Sequence, residues 1–448
     1  MSRSYVAHNI HVSLFRCYES KDYEDFYDYY YRLEDFIKSH SIKSLSETSV
    51  NKFTHIHDII HLSFQIQKDF KLAEYICIQL INLFYKYISN YNIQYWRDIL
   101  NTISNTGFSI LNEASYTGSS RITDLILSYL DDFPEILKVN LTNITHDGFM
   151  VLHDALRSNS ERNVDLILSY LIKYPHILKL NLNNITRNGF TVLQQALASN
   201  SERNVNLILS YLNKYSKILE LNLSNITRDG FTVLQQALIS NSERNVDLIL
   251  SYLIKYPKIL ELNLSNITRD GFTVLQSALR SNSEKNVVLI LSYLVKYPKI
   301  LKLNLSNITK DGYTILHQVL MSNSERNVIL ILNYLAKYPK ILELNLITIT
   351  RDGFTVLQKA VVSNLERNVD LILSHLINYP NILELNLSNI TKDGFTVLKH
   401  ATRTQNTSII QQIYDILLDY PSFCRLNLET KNKYGYSALD DIKNNSKI

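Results

Sequence analysis

Three histidines in the N-terminal part of the chain are the first residues whose type and spacing suggest chemistry. His57 and His61 stand four positions apart, on one face of a predicted helix, with His55 and Asp58 close by. Histidine pairs at this spacing can hold zinc, but no cysteine or second carboxylate cluster completes a ligand set. The pattern therefore favours a polar helix face, and the sequence predicts neither a metal nor a cofactor.

A tyrosine-rich acidic segment precedes these histidines. Such a segment suits either a kinase target or docking segment, or an amphipathic helix that caps the fold, and the cap is the favoured interpretation. The tyrosines are Tyr23, Tyr27, Tyr29, Tyr30 and Tyr31, among Asp22, Glu24, Asp25 and Asp28.

Motifs for catalysis are missing from the sequence. It contains no glycine-rich phosphate loop, no nucleophile elbow and no zinc-protease or kinase signature. The sequence therefore predicts a non-enzyme with no catalytic residue. The alternative is an enzyme or modifier whose active part lies in residues 1–104, near His55, His57, Asp58 and His61, with the rest of the chain selecting its substrate.

Composition bounds the class of protein. The 448 residues are 46% hydrophobic and 20% charged, so most of the chain can fold. The net charge of +4 is spread out without a basic block, which predicts that nucleic acid is an unlikely partner. Three distant cysteines indicate a reducing compartment, and no secretion signal or membrane span is recognised. We expect a soluble, cytoplasmic chain.

Glycine and proline mark a repeat of 41 residues, and the repeat must position any functional side chain. Nine of the ten glycines and all seven prolines keep this period, with Ser216 in the one missing proline place. The glycines are Gly107, Gly148, Gly189, Gly230, Gly271, Gly312, Gly353, Gly394 and Gly435, and the prolines are Pro134, Pro175, Pro257, Pro298, Pro339, Pro380 and Pro421.

The residue pattern of each unit predicts two helices followed by a short extended arm. In the unit that begins at Gly230, the Asp-Gly turn and Thr232 start a first helix, and Asn241-Ser242-Glu243 break it and cap a second. After Pro257, alternating leucines predict a short extended arm. Such units bury their apolar faces only by stacking, so the sequence predicts an all-α solenoid.

The run Asp229–Leu238 resembles the ankyrin signature Asp-Gly-x-Thr-Pro-Leu-His-x-Ala, and His153 and His317 restore its histidine in two units. The unit departs from the family in having 41 rather than about 33 residues. From Asn105 to Ile448 the chain is thus identified as similar to ankyrin-repeat proteins, including effector-type proteins of intracellular bacteria. Leucine-rich and HEAT-like repeats are the rival folds.

The resemblance gives three predicted segments. Residues 1–104 form a helical N-terminal cap with a degenerate repeat from about residue 53, residues 105–434 form eight tandem ankyrin-like repeats, and residues 435–448 form a partial C-terminal capping repeat. Stacked helix-turn-helix units with short extended arms between them are expected throughout.

Two positions vary along first helices whose leucine barely changes, and their spacing of three places them on one helix face. This face lines the inner groove in ankyrin-like folds, so the two rows are predicted to bind a partner; the alternative is neutral drift. The first varied row is Asp154, Gln195, Gln236, Ser277, Gln318, Lys359 and His400, and the second varied row is Arg157, Ala198, Ile239, Arg280, Met321, Val362 and Arg403.

Two tyrosine rows repeat within the apolar second helices. They suit stacked bases or a packing ladder, and repetition inside an apolar helix favours packing. One row is Tyr170, Tyr211, Tyr252 and Tyr293, and the other is Tyr174, Tyr215, Tyr256 and Tyr297.

The sequence therefore predicts a scaffold or adaptor that binds a protein or peptide partner in its groove. If the chain is a secreted effector, that partner is a eukaryotic host protein and the location is the host cytoplasm. A monomer is favoured. A rigid spacer without a specific partner is the remaining alternative.

Overall fold

The computed structural model describes residues 60, 70–91, 93–240, 242–281, 283–322 and 324–444. The chain divides into two compact units, Met1–Arg228 and Asp229–Ile448, which are described separately. Within the described residues both units are helical, with two isolated β-bridges and no strand. The predicted all-helical solenoid is confirmed.

In the first unit, the described helices begin with two that precede the regular repeats. Three helices per repeat then follow, and each set ends near a recurring glycine turn. The helices are α1 (Phe70–Tyr91), α2 (Ile93–Leu100), α3 (Ile110–Tyr116), α4 (Ser120–Asp131), α5 (Pro134–Thr142), α6 (Val151–Arg157), α7 (Glu161–Lys173), α8 (Pro175–Asn183), α9 (Val192–Ala198), α10 (Glu202–Leu212) and α11 (Ser216–Ser224).

The second unit contains five further sets of three helices and a short closing helix. They are α12 (Val233–Ile239), α13 (Glu243–Leu253), α14 (Pro257–Ser265), α15 (Val274–Arg280), α16 (Glu284–Leu294), α17 (Pro298–Ser306), α18 (Ile315–Leu320), α19 (Glu325–Leu335), α20 (Pro339–Ile347), α21 (Val356–Val362), α22 (Glu366–Leu376), α23 (Pro380–Ser388), α24 (Val397–Thr404), α25 (Thr407–Leu418), α26 (Pro421–Glu429) and α27 (Ala438–Asn444).

A glycine turn precedes each first helix, and a capping box starts most of them. Gly271 has φ of +86°, and a Cβ atom there would lie 2.9 Å from the Thr309 Cα atom of the next repeat. Thr273 then caps α15, because its hydroxyl accepts from the Gln276 amide while the Gln276 side chain accepts from the Thr273 amide. The repeat can therefore stack closely only with glycine at this turn.

The segment after each proline is a third helix, so the predicted extended arm was wrong. In α14, Leu260 and Leu264 are buried and four residues apart, which is helical spacing as well as an even step of a strand. Pro257 occupies the first helical turn, where its fixed φ and missing N–H favour a helix start. A segment of nine residues with alternating leucines is too short to distinguish the helical period from the two-residue period of a strand.

Buried asparagines join consecutive repeats. The Asn304 side chain is fully buried, accepts from the Leu275 amide at 3.1 Å, and donates to the Leu264 carbonyl at 3.1 Å and the Ile300 carbonyl at 2.9 Å. One side-chain amide thus bonds backbone groups of three helices. The same arrangement recurs at Asn345 and Asn386.

A lysine closes the second unit at its C-terminal end. Lys399 occupies the place that Gln276 and Gln358 hold in earlier repeats, and its side chain is only 2% exposed. The Lys399 Nζ atom lies 2.7 Å from the Asp441 carboxylate and donates to the Ser437 carbonyl at 2.7 Å. The contact fixes α27 against α24, so this end of the stack is chemically distinct from its interior.

Candidate functional site

Charge is separated along three of the second helices in the second unit. The helices α13, α16, α19 and α22 each begin with a glutamate, and a lysine follows the end of the first three. Negative charge at the N-terminus and positive charge at the C-terminus both stabilise a helix through its dipole. Because the repeats stack in the same orientation, the helix ends collect the lysines along one edge.

We call this group the lysine edge: its seven lysines are exposed, and no carboxylate lies within 4 Å of their ammonium groups among the described residues. Two glutamates, Glu261 and Glu343, share the exposed face of the third helices with it, so its net charge is +5. The edge consists of Lys255, Lys258, Lys296, Lys299, Lys302, Lys337 and Lys340.

Tyrosine rings hold the first lysine of each repeat. The Nζ atoms of Lys255, Lys296 and Lys337 lie over the rings of Tyr252, Tyr293 and Tyr334, at 4.7, 4.8 and 4.8 Å from the ring centroids. These tyrosines are half-buried, and the three lysines are exposed. The cation–π contacts therefore restrict the lysines without neutralising their charge.

Four other exposed cations of the second unit are paired with carboxylates. Lys285 lies 2.8 Å from the Asp247 carboxylate, and Lys433 lies 2.9 Å from Asp393. Arg326 and Arg351 have carboxylates at 3.6 and 3.8 Å. These pairs provide a direct comparison for the lysine edge, since they carry the same charge in a neutralised setting.

The first unit repeats the arrangement on a smaller scale. Lys173 and Lys214 lie over Tyr170 and Tyr211, at 3.9 and 4.8 Å. Lys173 also lies 3.9 Å from Asp131, so the charge there is partly offset.

The two varied rows occupy different environments. In the first varied row Asp154, Gln236, Ser277, Gln318 and His400 are buried, and Gln195 and Lys359 are half-buried. In the second varied row Ile239, Arg280, Met321, Val362 and Arg403 are exposed, and Arg157 is half-buried. The first row therefore lies largely inside the stack, and partner binding by either row stays a prediction.

Several members of these rows contact aromatic rings. Arg280 lies over the Phe272 ring at 4.7 Å, Arg403 over Phe395 at 5.0 Å, and Lys359 over Phe354 at 4.0 Å. The burial of Asp154 raises the pKa of its carboxyl to about 8, against the opposing effect of the Asn112 hydrogen bond. Burial lowers the pKa of His400 to about 4.

The lysine edge was missed by the sequence analysis, which considered net charge and long basic runs. The signal was present in the repeat itself: lysine recurs at one phase in five successive repeats, from Lys173 to Lys337. The net charge of +4 for the whole chain conceals this pattern, because the acidic residues lie elsewhere on the same units.

His55, His57, Asp58, His61 and the tyrosine-rich segment lie outside the described residues. In the part of the chain that the structure describes, no three histidine, cysteine or acidic side chains come together as metal ligands. No described helix has both the length and the apolar character that crossing a bilayer requires.

Comparison with known families decides the affiliation. The mTERF family model matches residues 119–414, about two thirds of the chain. The chain belongs to the mTERF family. Proteins of the mTERF family bind nucleic acid. The prediction that nucleic acid is an unlikely partner was therefore wrong.

The assignment to the ankyrin-repeat family was also wrong, because the matching family is mTERF. The short turn and cap signature suggested ankyrin repeats, whereas each unit here has three helices in place of the two of an ankyrin repeat. One solved structure with similarity is the ankyrin repeat domain of Bcl-3, a unique member of the IkappaB protein family. Its sequence is 18% identical, the match covers 59% of this chain and 97% of that chain, and the TM-score is 0.35. No curated protein matches the chain.

Proposed function

We propose that this chain is a nucleic-acid-binding solenoid whose lysine edge contacts the phosphate backbone of RNA or DNA. The observation that carries the proposal is the row of exposed, unneutralised lysines in the second unit. Membership of the mTERF family supports the same partner class. A binding protein of this kind needs no cofactor and no reacting group.

The charge and the restricted geometry of the lysine edge suit the binding of phosphate groups. Each lysine that meets a phosphate releases condensed counterions, so binding weakens as salt rises, in proportion to the number of contacts. The tyrosines restrict the lysines before binding, which reduces the conformational entropy lost in the complex. The edge therefore offers affinity that depends on charge and geometry together.

The test is the salt dependence of binding, measured by fluorescence anisotropy with labelled RNA, single-stranded DNA and duplex DNA between roughly 50 and 200 mM salt. The variant carries Lys255→Gln, Lys296→Gln, Lys299→Gln and Lys337→Gln. We expect the slope of log affinity against log salt to fall by about 3.

A matched control removes the same number of charges from paired sites through Lys285→Gln, Arg326→Gln, Arg351→Gln and Lys433→Gln. Both variants have the same net charge, so a general effect of charge would weaken them equally. The proposal is refuted if the two variants bind alike, or if the intact chain binds no nucleic acid.

A further inference from the structure

The lysine edge contains three nearly identical segments of seven residues. Tyr252–Lys258, Tyr293–Lys299 and Tyr334–Lys340 each read Tyr-Leu-x-Lys-Tyr-Pro-Lys, and none contains an acidic residue. Each segment joins the end of a second helix to the start of a third. Cations and aromatic rings are thus interleaved at regular intervals along one edge of the second unit.

The tyrosine rings offer stacking surfaces that the paired bases of a duplex cannot use. Tyr252, Tyr293 and Tyr334 are half-buried, so part of each ring is accessible, and a lysine ammonium group lies over it. In a duplex the bases are paired and stacked, and only phosphates reach such an edge. A single strand offers phosphates and unstacked bases together, and an aromatic ring beside a cation suits both.

We propose that the preferred ligand of the lysine edge is a single strand, bound without preference for base sequence. This inference rests on the proposed nucleic-acid function. Lack of sequence preference follows from the repeats. The three segments differ only at Ile254, Val295 and Ala336, whose aliphatic side chains carry no group that could hydrogen-bond a base edge.

Equivalent segments also imply equivalent binding registers. A strand moved along the edge by one repeat meets the same tyrosine and lysine groups in the same order, so no register is favoured by base identity. Affinity is then expected to rise with strand length until the edge is filled.

The first test compares labelled strands of oligo-dT, oligo-dA and mixed sequence, the duplex of the mixed sequence, and an abasic strand of the same length. We expect the three single strands to bind within a few-fold of one another. The duplex and the abasic strand should each bind at least about fivefold more weakly, since base stacking on aromatic rings is lost. The abasic strand tests the rings without altering the protein.

The second test changes the rings. The triple variant Tyr252→Leu, Tyr293→Leu and Tyr334→Leu should weaken single-strand binding at least about fivefold and duplex binding by a clearly smaller factor, because a duplex loses only the restriction of the lysines; the matching Tyr→Phe variant retains single-strand affinity. If the duplex binds as tightly as the single strand, or one base sequence dominates, this inference is overturned while the nucleic-acid function stands. If no strand binds, the function itself has failed.

Discussion

At the residue scale, the buried carboxyl of Asp154 is the least expected group in the first unit. Other repeats place Gln195, Gln236 or Gln318 at this position. The Asp154 side chain is fully buried, and the Asn112 amide nitrogen donates to one carboxylate oxygen at 2.8 Å. Its other oxygen accepts no hydrogen bond within the described residues. Charging this group inside the stack is therefore unfavourable.

Asp154→Asn should stabilise the chain at alkaline pH. The folded-state pKa of about 8 lies above the ordinary value of 3.8, so the folded protein holds a proton that the unfolded chain loses. The stability that Asp154 contributes is therefore present at low pH and is lost as pH rises towards 8. We expect the urea midpoint of the variant to exceed that of the parent at pH 8. Asp124→Asn, at an exposed site, serves as the control and should leave the midpoint unchanged.

The contribution of His317 to folding stability has the opposite pH dependence to that of Asp154. Burial, together with the charge of Lys359, lowers the pKa of His317 to about 3, so it remains neutral in the folded chain. Its stabilising contribution is complete above pH 6.5 and is lost as pH falls from there towards 3. His317→Gln, the residue found at Gln276 and Gln358, should reduce the stability lost between pH 6.5 and 4.5 by about 2 to 3 kcal/mol. Equal pH profiles for parent and variant in urea unfolding would contradict this expectation.

At the element scale, Asn304, which links three helices, should contribute strongly to the free energy of unfolding. Asn304→Ala leaves the Leu275 amide and the Leu264 carbonyl buried without their partner. We expect a loss of about 2 to 4 kcal/mol in the free energy of unfolding by urea. Ser292→Ala, which removes an exposed side-chain hydrogen bond, should change it by less than about 0.5 kcal/mol.

Two glycine turns allow the conformational penalty of a positive φ to be separated from the steric cost of close stacking. Gly271 and Gly435 have nearly equal φ angles of +86° and +85°, but a Cβ atom would lie 2.9 Å from backbone at Gly271 and meets nothing within 4 Å at Gly435. Gly435→Ala should therefore destabilise by the conformational penalty alone, about 1 to 2 kcal/mol. Gly271→Ala should destabilise clearly more, as measured by urea unfolding. Equal losses would show that close stacking at the turn is unimportant.

The sequence predicted some elements well because their signals are local. The turn at Gly230 and the cap at Thr232 depend on a few adjacent residues, and the structure has both. The third helix at Pro257 was missed because nine residues fit two periods. The burial of Gln236 was also missed, since the neighbour that covers a helix face belongs to a distant part of the sequence.

At the scale of the whole molecule, the functional surface comes from repetition. One lysine at a helix end stabilises that helix by a small amount, but the helix-end lysines of consecutive repeats, together with the lysines of the third helices, form an edge with a net charge of +5. Sequence analysis could predict the repeat, but not which of its faces would keep an unneutralised charge. That property depends on which carboxylates lie beside the lysines in three dimensions.

Removing one complete repeat should therefore shorten the edge without breaking the fold. Deletion of residues 271–311 joins Asp270 to Gly312, which restores the Asp-Gly turn, and removes Lys296, Lys299 and Lys302. Circular dichroism should show a folded helical chain, and the salt slope for nucleic acid should fall by about 2. Deletion of residues 271–290 alone shifts the repeat spacing and should unfold part of the second unit. A complete-repeat deletion that fails to fold would contradict the equivalence of the units.

The asparagine contacts have a consequence for the gene. Each one bridges a fixed distance along the chain, with Asn304 and Asn345 both reaching a carbonyl 40 residues earlier. Near-identical repeats in the protein imply near-identical stretches of coding DNA, which misalign during recombination by whole repeats. Products that gain or lose 41 codons keep every asparagine between its partners, whereas other length changes separate them. Selection on folding should thus leave alleles that differ in length by complete repeats, and with them the number of lysines available for binding.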